Sequence, residues 1–157
     1  GTQTPDHIFG VGHELVDRLE RRIAEAVADY IDDLEGDETH PFVSRRARSF
    51  LYRGSWSSQL KAQGFHVNHI HPQGWISSCY YVAVPDAAKD TQTRQGWIKF
   101  GEPGFDVGLS NPIRRMIQPV PGRLVLFPSF MWHGTVPFTD DARRTTIAFD
   151  VVPQSGP

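Results

Sequence analysis

Apolar positions change their period once along the chain, near residue 48. Before it, Leu15, Leu19, Ile23, Val27, Ile31 and Leu34 recur three or four residues apart, with Ala26 and Tyr30 widening the stripe. Glu20, Arg21, Glu25 and Asp29 fall on the other faces. That spacing gathers the apolar side chains on one side of a helix, so it predicts a helix over about residues 13–34 lying on a core. Gly36-Asp37-Glu38 ends it. Beyond residue 48, segments rich in aromatic and β-branched residues read as short strands at 50–52, 65–70, 75–84, 97–100, 123–127 and 145–152. Gly64, Pro72-Gln73-Gly74, Pro85-Asp86, Pro119 to Gly122 and Pro128 punctuate them. Eleven of the 12 prolines follow residue 40, which makes this half a turn-rich β region. The economical assembly is one helix packed on a β jelly roll, mainly β overall. Residues 1–157 then form a single domain, with the jelly roll over about 50–153. The polar stretch 86–96 reads as an exposed loop.

Composition narrows the partners. A net charge of -2 and a pI near 6.4 leave no basic field for nucleic acid or an anionic membrane, so neither is expected as a partner. Arg45-Arg46-Ala47-Arg48, Arg114-Arg115 and Arg143-Arg144 are local clusters that read as solvated edges. No apolar run approaches the roughly 20 residues of a membrane span. The single cysteine, Cys79, excludes an intrachain disulfide and a thiolate zinc site. It fits a reducing setting, and a cytoplasmic location is the expectation. The start, Gly1-Thr2-Gln3-Thr4-Pro5, does not read as a signal peptide and lacks an initiator methionine, consistent with a processed start.

Candidate chemistry lies in the histidines. Three of the seven crowd His66-Val67-Asn68-His69-Ile70-His71-Pro72. On a strand, alternate residues share a face, so His69 and His71 point together with Val67, and His66, Asn68 and Ile70 point the other way. Two imidazoles two residues apart can occupy adjacent positions on one metal ion. His133, in Pro128-Ser129-Phe130-Met131-Trp132-His133-Gly134-Thr135 after the strand 123–127, is the candidate third ligand. Three imidazoles suit iron, zinc, copper or nickel, and not magnesium or calcium. A lone His-X-His is weak evidence; the surrounding sequence strengthens it.

From about Trp56 to Pro153 the chain resembles the iron(II)- and 2-oxoglutarate-dependent oxygenases, in a subgroup of small bacterial and phage members. The landmarks come in the family's order. His69-Ile70-His71-Pro72 precedes Ser77-Ser78-Cys79-Tyr80-Tyr81-Val82, which is similar to the family's Ser-Gly-Val-Tyr-Tyr-Val strand. Gly96-Trp97-Ile98-Lys99-Phe100 follows. Pro121-Gly122-Arg123-Leu124-Val125-Leu126-Phe127-Pro128-Ser129 leads to His133, and Arg144-Thr145-Thr146-Ile147-Ala148-Phe149 closes the barrel.

The resemblance implies that the jelly roll is a double-stranded β-helix, a cupin-like barrel, and that the cofactors are Fe(2+) and 2-oxoglutarate. It implies iron on His69, His71 and His133, with three positions left open. It places Arg144, 11 residues after His133, as the cation for the oxoacid's far carboxylate, which a guanidinium can bind as a fork. Thr146 and Ala148 would share its interior face, and Arg143 would face outward. Tyr81, on one strand face with Cys79 and Ser77, is expected to hydrogen-bond the same carboxylate. Asn68 and Gln59 are candidate polar lining; Trp56, Trp75, Trp97 and Trp132 are expected in the core. The activity implied is hydroxylation of a substrate, small molecule or protein, with release of succinate and CO2. The substrate cannot be read from the loops 86–95 and 101–118, where the pocket mouth is expected.

One departure from the wider superfamily stands out. Most members carry His-X-Asp or His-X-Glu, and here His71 takes the carboxylate's place, leaving the metal one unit more positive. Two alternatives stay open. A cupin-like three-histidine iron dioxygenase would need no oxoacid, although the Glu expected a few residues after the His-X-His is replaced by Gln73, Gly74 and Trp75. A non-catalytic jelly-roll metal-binding module would keep the ion without turnover.

Overall fold

The structure, a computed structural model, describes residues 1–5, 7–110 and 112–154. Its elements in chain order are β1 (Thr2–Gln3), α1 (Glu14–Asp32), β2 (Phe50–Leu60), β3 (Ile76–Ala83), β4 (Ile98–Phe100), β5 (Arg115–Ile117), β6 (Leu124–Pro128), β7 (His133–Thr135) and β8 (Arg144–Pro153). The strands form two antiparallel sheets, ordered β1-β2-β8-β3-β6 and β5-β4-β7. This is the mainly β jelly roll with one N-terminal helix that the sequence pattern predicts. No helix is long and apolar enough to cross a membrane among the described residues.

The central strand β8 explains the layering. Its odd residues Phe149 and Val151 are fully buried against Ile23, Val27 and Ile31 of α1, together with Phe9, Phe42, Trp75 and Ile76. Burying each such side chain contributes about 1.5–3 kcal/mol, so this outer layer fixes the helix to the sheet. Its even residues Arg144, Thr146, Ala148 and Asp150 point the other way, into the space between the sheets. There a second cluster, Cys79, Tyr81, Ile98, Phe100, Val125 and Phe127, closes the interior. The α1 stripe is shorter than the pattern suggests. Leu15 is 63% exposed, and Leu34 lies beyond the C-cap Asp33. Glu14 and Asp17 sit in the first turn, where the helix dipole favours negative charge.

Three sequence expectations change. Residues 65–70 do not form a strand; they carry one isolated bridge, His69 to His133. The hydrogen bonds say why. His69 and His133 exchange N–H···O bonds of 2.9 and 3.0 Å, yet the next bond runs from Thr135 N to His66 O at 3.1 Å. Three residues on one side thus oppose two on the other, an extra residue that behaves as a bulge and breaks the period of two. The strand 50–52 continues to Leu60, pairing with β8 along its length. The loop 86–96 is not wholly exposed: a 3-10 turn at Asp86–Lys89 buries Ala88, whose carbonyl accepts from the Trp97 indole at 2.9 Å.

Candidate metal centre

Two segments converge on one point. The strap 66–71 brings His69 and His71, and the first residue of β7 brings His133. Their ligand-capable nitrogens all lie within 4.8 Å of one another. His69 Nε2 and His71 Nε2 are 3.1 Å apart, and the His69 and His133 ring centroids are 4.3 Å apart.

The opposite nitrogen of each ring is committed. His69 Nδ1 meets Val67 O at 2.7 Å, and His133 Nδ1 meets Met131 O at 2.9 Å. His71 Nδ1 meets both carboxylate oxygens of Asp150, at 2.7 and 2.8 Å. Carbonyl and carboxylate oxygens only accept, so every Nδ1 carries a proton, and in a neutral ring that leaves the lone pair on Nε2. Burial holds the His133 pKa down to about 3 and lowers that of His69. Those two imidazoles are therefore neutral near pH 7, the form a metal requires. Three Nε2 atoms gathered this closely form a set that could hold a metal ion.

The cavity that these rings border has a volume of about 130 Å³. Arg144 enters its wall from β8 and is 1% exposed. Arg144 Nε donates to Gly96 O at 3.1 Å, while Nη1 is buried with no partner among the described residues. Its guanidinium carbon stands 5.1 Å over the ring of Tyr81, and the Tyr81 hydroxyl is likewise buried and unpartnered. Burial pushes the Tyr81 pKa well up, so the phenol keeps its proton. Arg144 Nη1, on a permanent cation in the cavity wall, is a donor suited to an anionic acceptor, with the Tyr81 hydroxyl behind it. The donor set therefore fits an organic acid's carboxylate, and the three imidazoles fit a transition metal beside it.

The sequence-predicted residues divide cleanly. His69, His71, His133 and Arg144 meet at the cavity, with Thr146 and Ala148 on its wall as alternation predicts. Tyr81 faces Arg144. Arg143 points outward, donating to Gln59 Oε1 at 2.8 Å, which also takes Gln59 away from the cavity. Asn68 turns toward Glu102 and Pro103 instead of lining the site. Trp75 fills the core, but Trp56 lies 5.8 Å from the His71 ring at the cavity mouth. That mouth, bordered by Gln3, Trp56 and His71, replaces the one expected at 86–95 and 101–118; no described residue of either loop lines the cavity.

Two functional residues escaped the sequence reading. His66 lines the cavity, because the bulge cancels the alternation that sent it outward. Its Nε2 lies 3.0 Å from Ser58 Oγ, and burial and the nearby Arg144 charge bring its pKa down to about 4. Asp150 carries His71, and its signal was present: it continues the series Arg144, Thr146, Ala148 at a step of two.

A jelly roll with three clustered histidines beside a buried arginine fits the class of non-haem metal oxygenases. The family model described as "Putative 2OG-Fe(II) oxygenase" matches residues 54–150, and the chain belongs to that family, whose cofactors are iron(II) and 2-oxoglutarate. No curated protein matches the chain. Among solved structures, it is similar in fold to a Pseudomonas putida prolyl-4-hydroxylase, with a TM-score of 0.62 at 13% identity over 94% of this chain and 70% of that one. The viral collagen prolyl hydroxylase of Paramecium Bursaria Chlorella virus-1, in its 2OG complex, gives 0.59 at 12% identity over 98% and 79%. An oxidoreductase of the 2OG-Fe(II) oxygenase family from Burkholderia pseudomallei gives 0.51 at 13% identity, over 69% of this chain and only 47% of that one. The chain thus spans about half the length of the Burkholderia protein.

Proposed function

We propose that this chain is an iron(II)- and 2-oxoglutarate-dependent oxygenase domain that hydroxylates a substrate with release of succinate and CO2. The observation that carries the reading is the set of three Nε2 lone pairs converging from His69, His71 and His133, each fixed by a bonded Nδ1–H. Iron(II) with 2-oxoglutarate and dioxygen would supply the oxidising chemistry: one oxygen atom of O2 goes into succinate as the oxoacid loses CO2, and the other goes into a substrate C–H bond.

The chain's own residues bind, orient and shield. His69, His71 and His133 would hold the metal through their Nε2 atoms. Arg144 Nη1 and the Tyr81 hydroxyl, buried without a partner among the described residues, would donate to the far carboxylate of the oxoacid. Phe127, with its ring 4.6 Å from His133, keeps water from the apolar side of the site. No side chain has to move a proton. A substrate, small molecule or protein, reaches the metal past Gln3, Trp56 and His71, which also border an open groove of about 430 Å³. A three-histidine dioxygenase without an oxoacid would leave the Arg144 and Tyr81 donors unpaired in the interior, at about 1–3 kcal/mol each.

The test is anaerobic reconstitution with iron(II), with and without 2-oxoglutarate. A weak visible charge-transfer band is expected only with both. Intact metal binding with no band on oxoacid addition would sink the reading in favour of oxoacid-free chemistry.

A further inference from the structure

His69 and His133 each find an acceptor for Nδ1 in the carbonyl two residues earlier, Val67 O and Met131 O. The matching carbonyl for His71 is His69 O, and it is already taken by His133 N at 3.0 Å. His71 instead uses a side chain from another strand, Asp150, 79 residues away. The Asp150 side chain is 14% exposed, and no lysine or arginine pairs with it among the described residues. Burying a carboxylate without a counter-charge is costly. A metal on the far nitrogen of His71 would supply that charge through the imidazole.

Asp150 is itself held in place. Ser77 Oγ lies 2.6 Å from Asp150 Oδ1 and 2.8 Å from Ser129 Oγ. A carboxylate cannot donate, so the Ser77 proton goes to Asp150 and Ser129 donates to Ser77. Both serines are buried. Ser129 O in turn accepts from His71 N at 2.9 Å, which closes a ring of four residues drawn from the strap, β3, the turn after β6, and β8. Gly74 is required beside it, because a Cβ there would stand 2.4 Å from Ser129 Oγ.

We propose that Asp150 is the positioning residue of the metal centre, fixing His71 as a ligand and supplying the site's negative charge from one imidazole away. The inference rests on the three-histidine reading above. It turns the carboxylate missing from the His-X-His motif into one displaced outward: a metal cation on His71 Nε2 polarises the ring, and Asp150 stabilises the resulting Nδ1–H. The Ser129–Ser77 chain prevents Asp150 from turning away.

Cobalt(II) titration of the metal-free protein tests it without reference to turnover. Asp150→Asn keeps the shape and one acceptor but removes the charge, and it should weaken cobalt binding about 10- to 100-fold and shift the cobalt d–d bands. A structural role alone would leave those bands unmoved. Ser77→Ala, which leaves Asp150 intact, should weaken binding by a smaller factor and serves if Asp150→Asn fails to fold. Cobalt affinity within about threefold of wild type together with unchanged bands would overturn the Asp150 assignment while leaving the three-histidine site standing. Failure of the wild-type protein to bind cobalt at all would overturn both.

Discussion

The guanidinium of Arg144 lies 5.1 Å above the ring of Tyr81, and each of the two side chains keeps one buried donor without a partner among the described residues. Stacking fixes their mutual orientation, so the pair is arranged before any ligand arrives. Arg144→Ala should abolish measurable 2-oxoglutarate binding or weaken it by one to two orders of magnitude, as losing a charged hydrogen bond costs about 1.5–3 kcal/mol. Metal binding should survive. Calorimetric titration of oxoacid into metal-loaded protein measures this, and retained affinity defeats the assignment.

Tyr81→Phe separates binding from stability. The variant should weaken oxoacid binding by about tenfold, since it deletes one donor. The ligand-free protein should be at least as stable as wild type, because an unsatisfied buried hydroxyl has been removed. Chemical denaturation of the apo-protein checks the second half. A marked loss of stability would show that the hydroxyl has a structural partner.

Gly134 is where β7 touches the strap. A Cβ there would stand 2.3 Å from Asn68 Oδ1 and 3.0 Å from His66 O. The amide of Asn68 can shift, but the backbone carbonyl can move only with the strap that carries His69. Gly134→Ala should therefore cost metal affinity at least tenfold with a small change in melting temperature. Equal metal affinity in the variant and wild type would mean that the strap adapts freely.

The metal-free protein should lose stability between pH 6.5 and about 4, before carboxylate protonation dominates. His66 is held to about 4 and His133 to about 3 in the folded chain, against about 6.5 when unfolded. Below pH 6.5 the unfolded chain takes up protons that the folded chain refuses, so unfolding gains; above it both forms are neutral and the effect vanishes. Urea midpoints measured across pH with chelator present should fall as pH drops through this window. His66→Asn should flatten the slope, and an unchanged slope would remove His66 as a contributor.

Most of the scaffold was legible because its physics is local. The 3.6-residue stripe gave α1, and alternation in β8 put Arg144, Thr146 and Ala148 on the cavity side. His69 and His71 converge as the spacing suggested, although not on a strand. The errors arise where a long-range contact overrides local period. The bulge between 66–69 and 133–135 is created by pairing across more than 60 residues, and no feature of His66 itself announces it. The mouth at Gln3 and Trp56 depends on β1 pairing with the far end of β2, which two N-terminal residues could not signal. Asp150 differs: the same alternation that found Arg144 reaches it, and only the search for direct ligands passed it by.

Strand β8 also sets a limit on how this chain can change. It pairs with β2 on one edge and β3 on the other, with cavity groups and helix-packing groups on alternate residues. Deleting Ile147 would exchange the two faces for everything after it. Asp150 would be driven into the oily layer under α1, and Phe149 into the cavity beside the histidines. Length in this strand is therefore fixed more tightly than any one side chain, and viable variation must come by substitution at its positions rather than by insertion or loss.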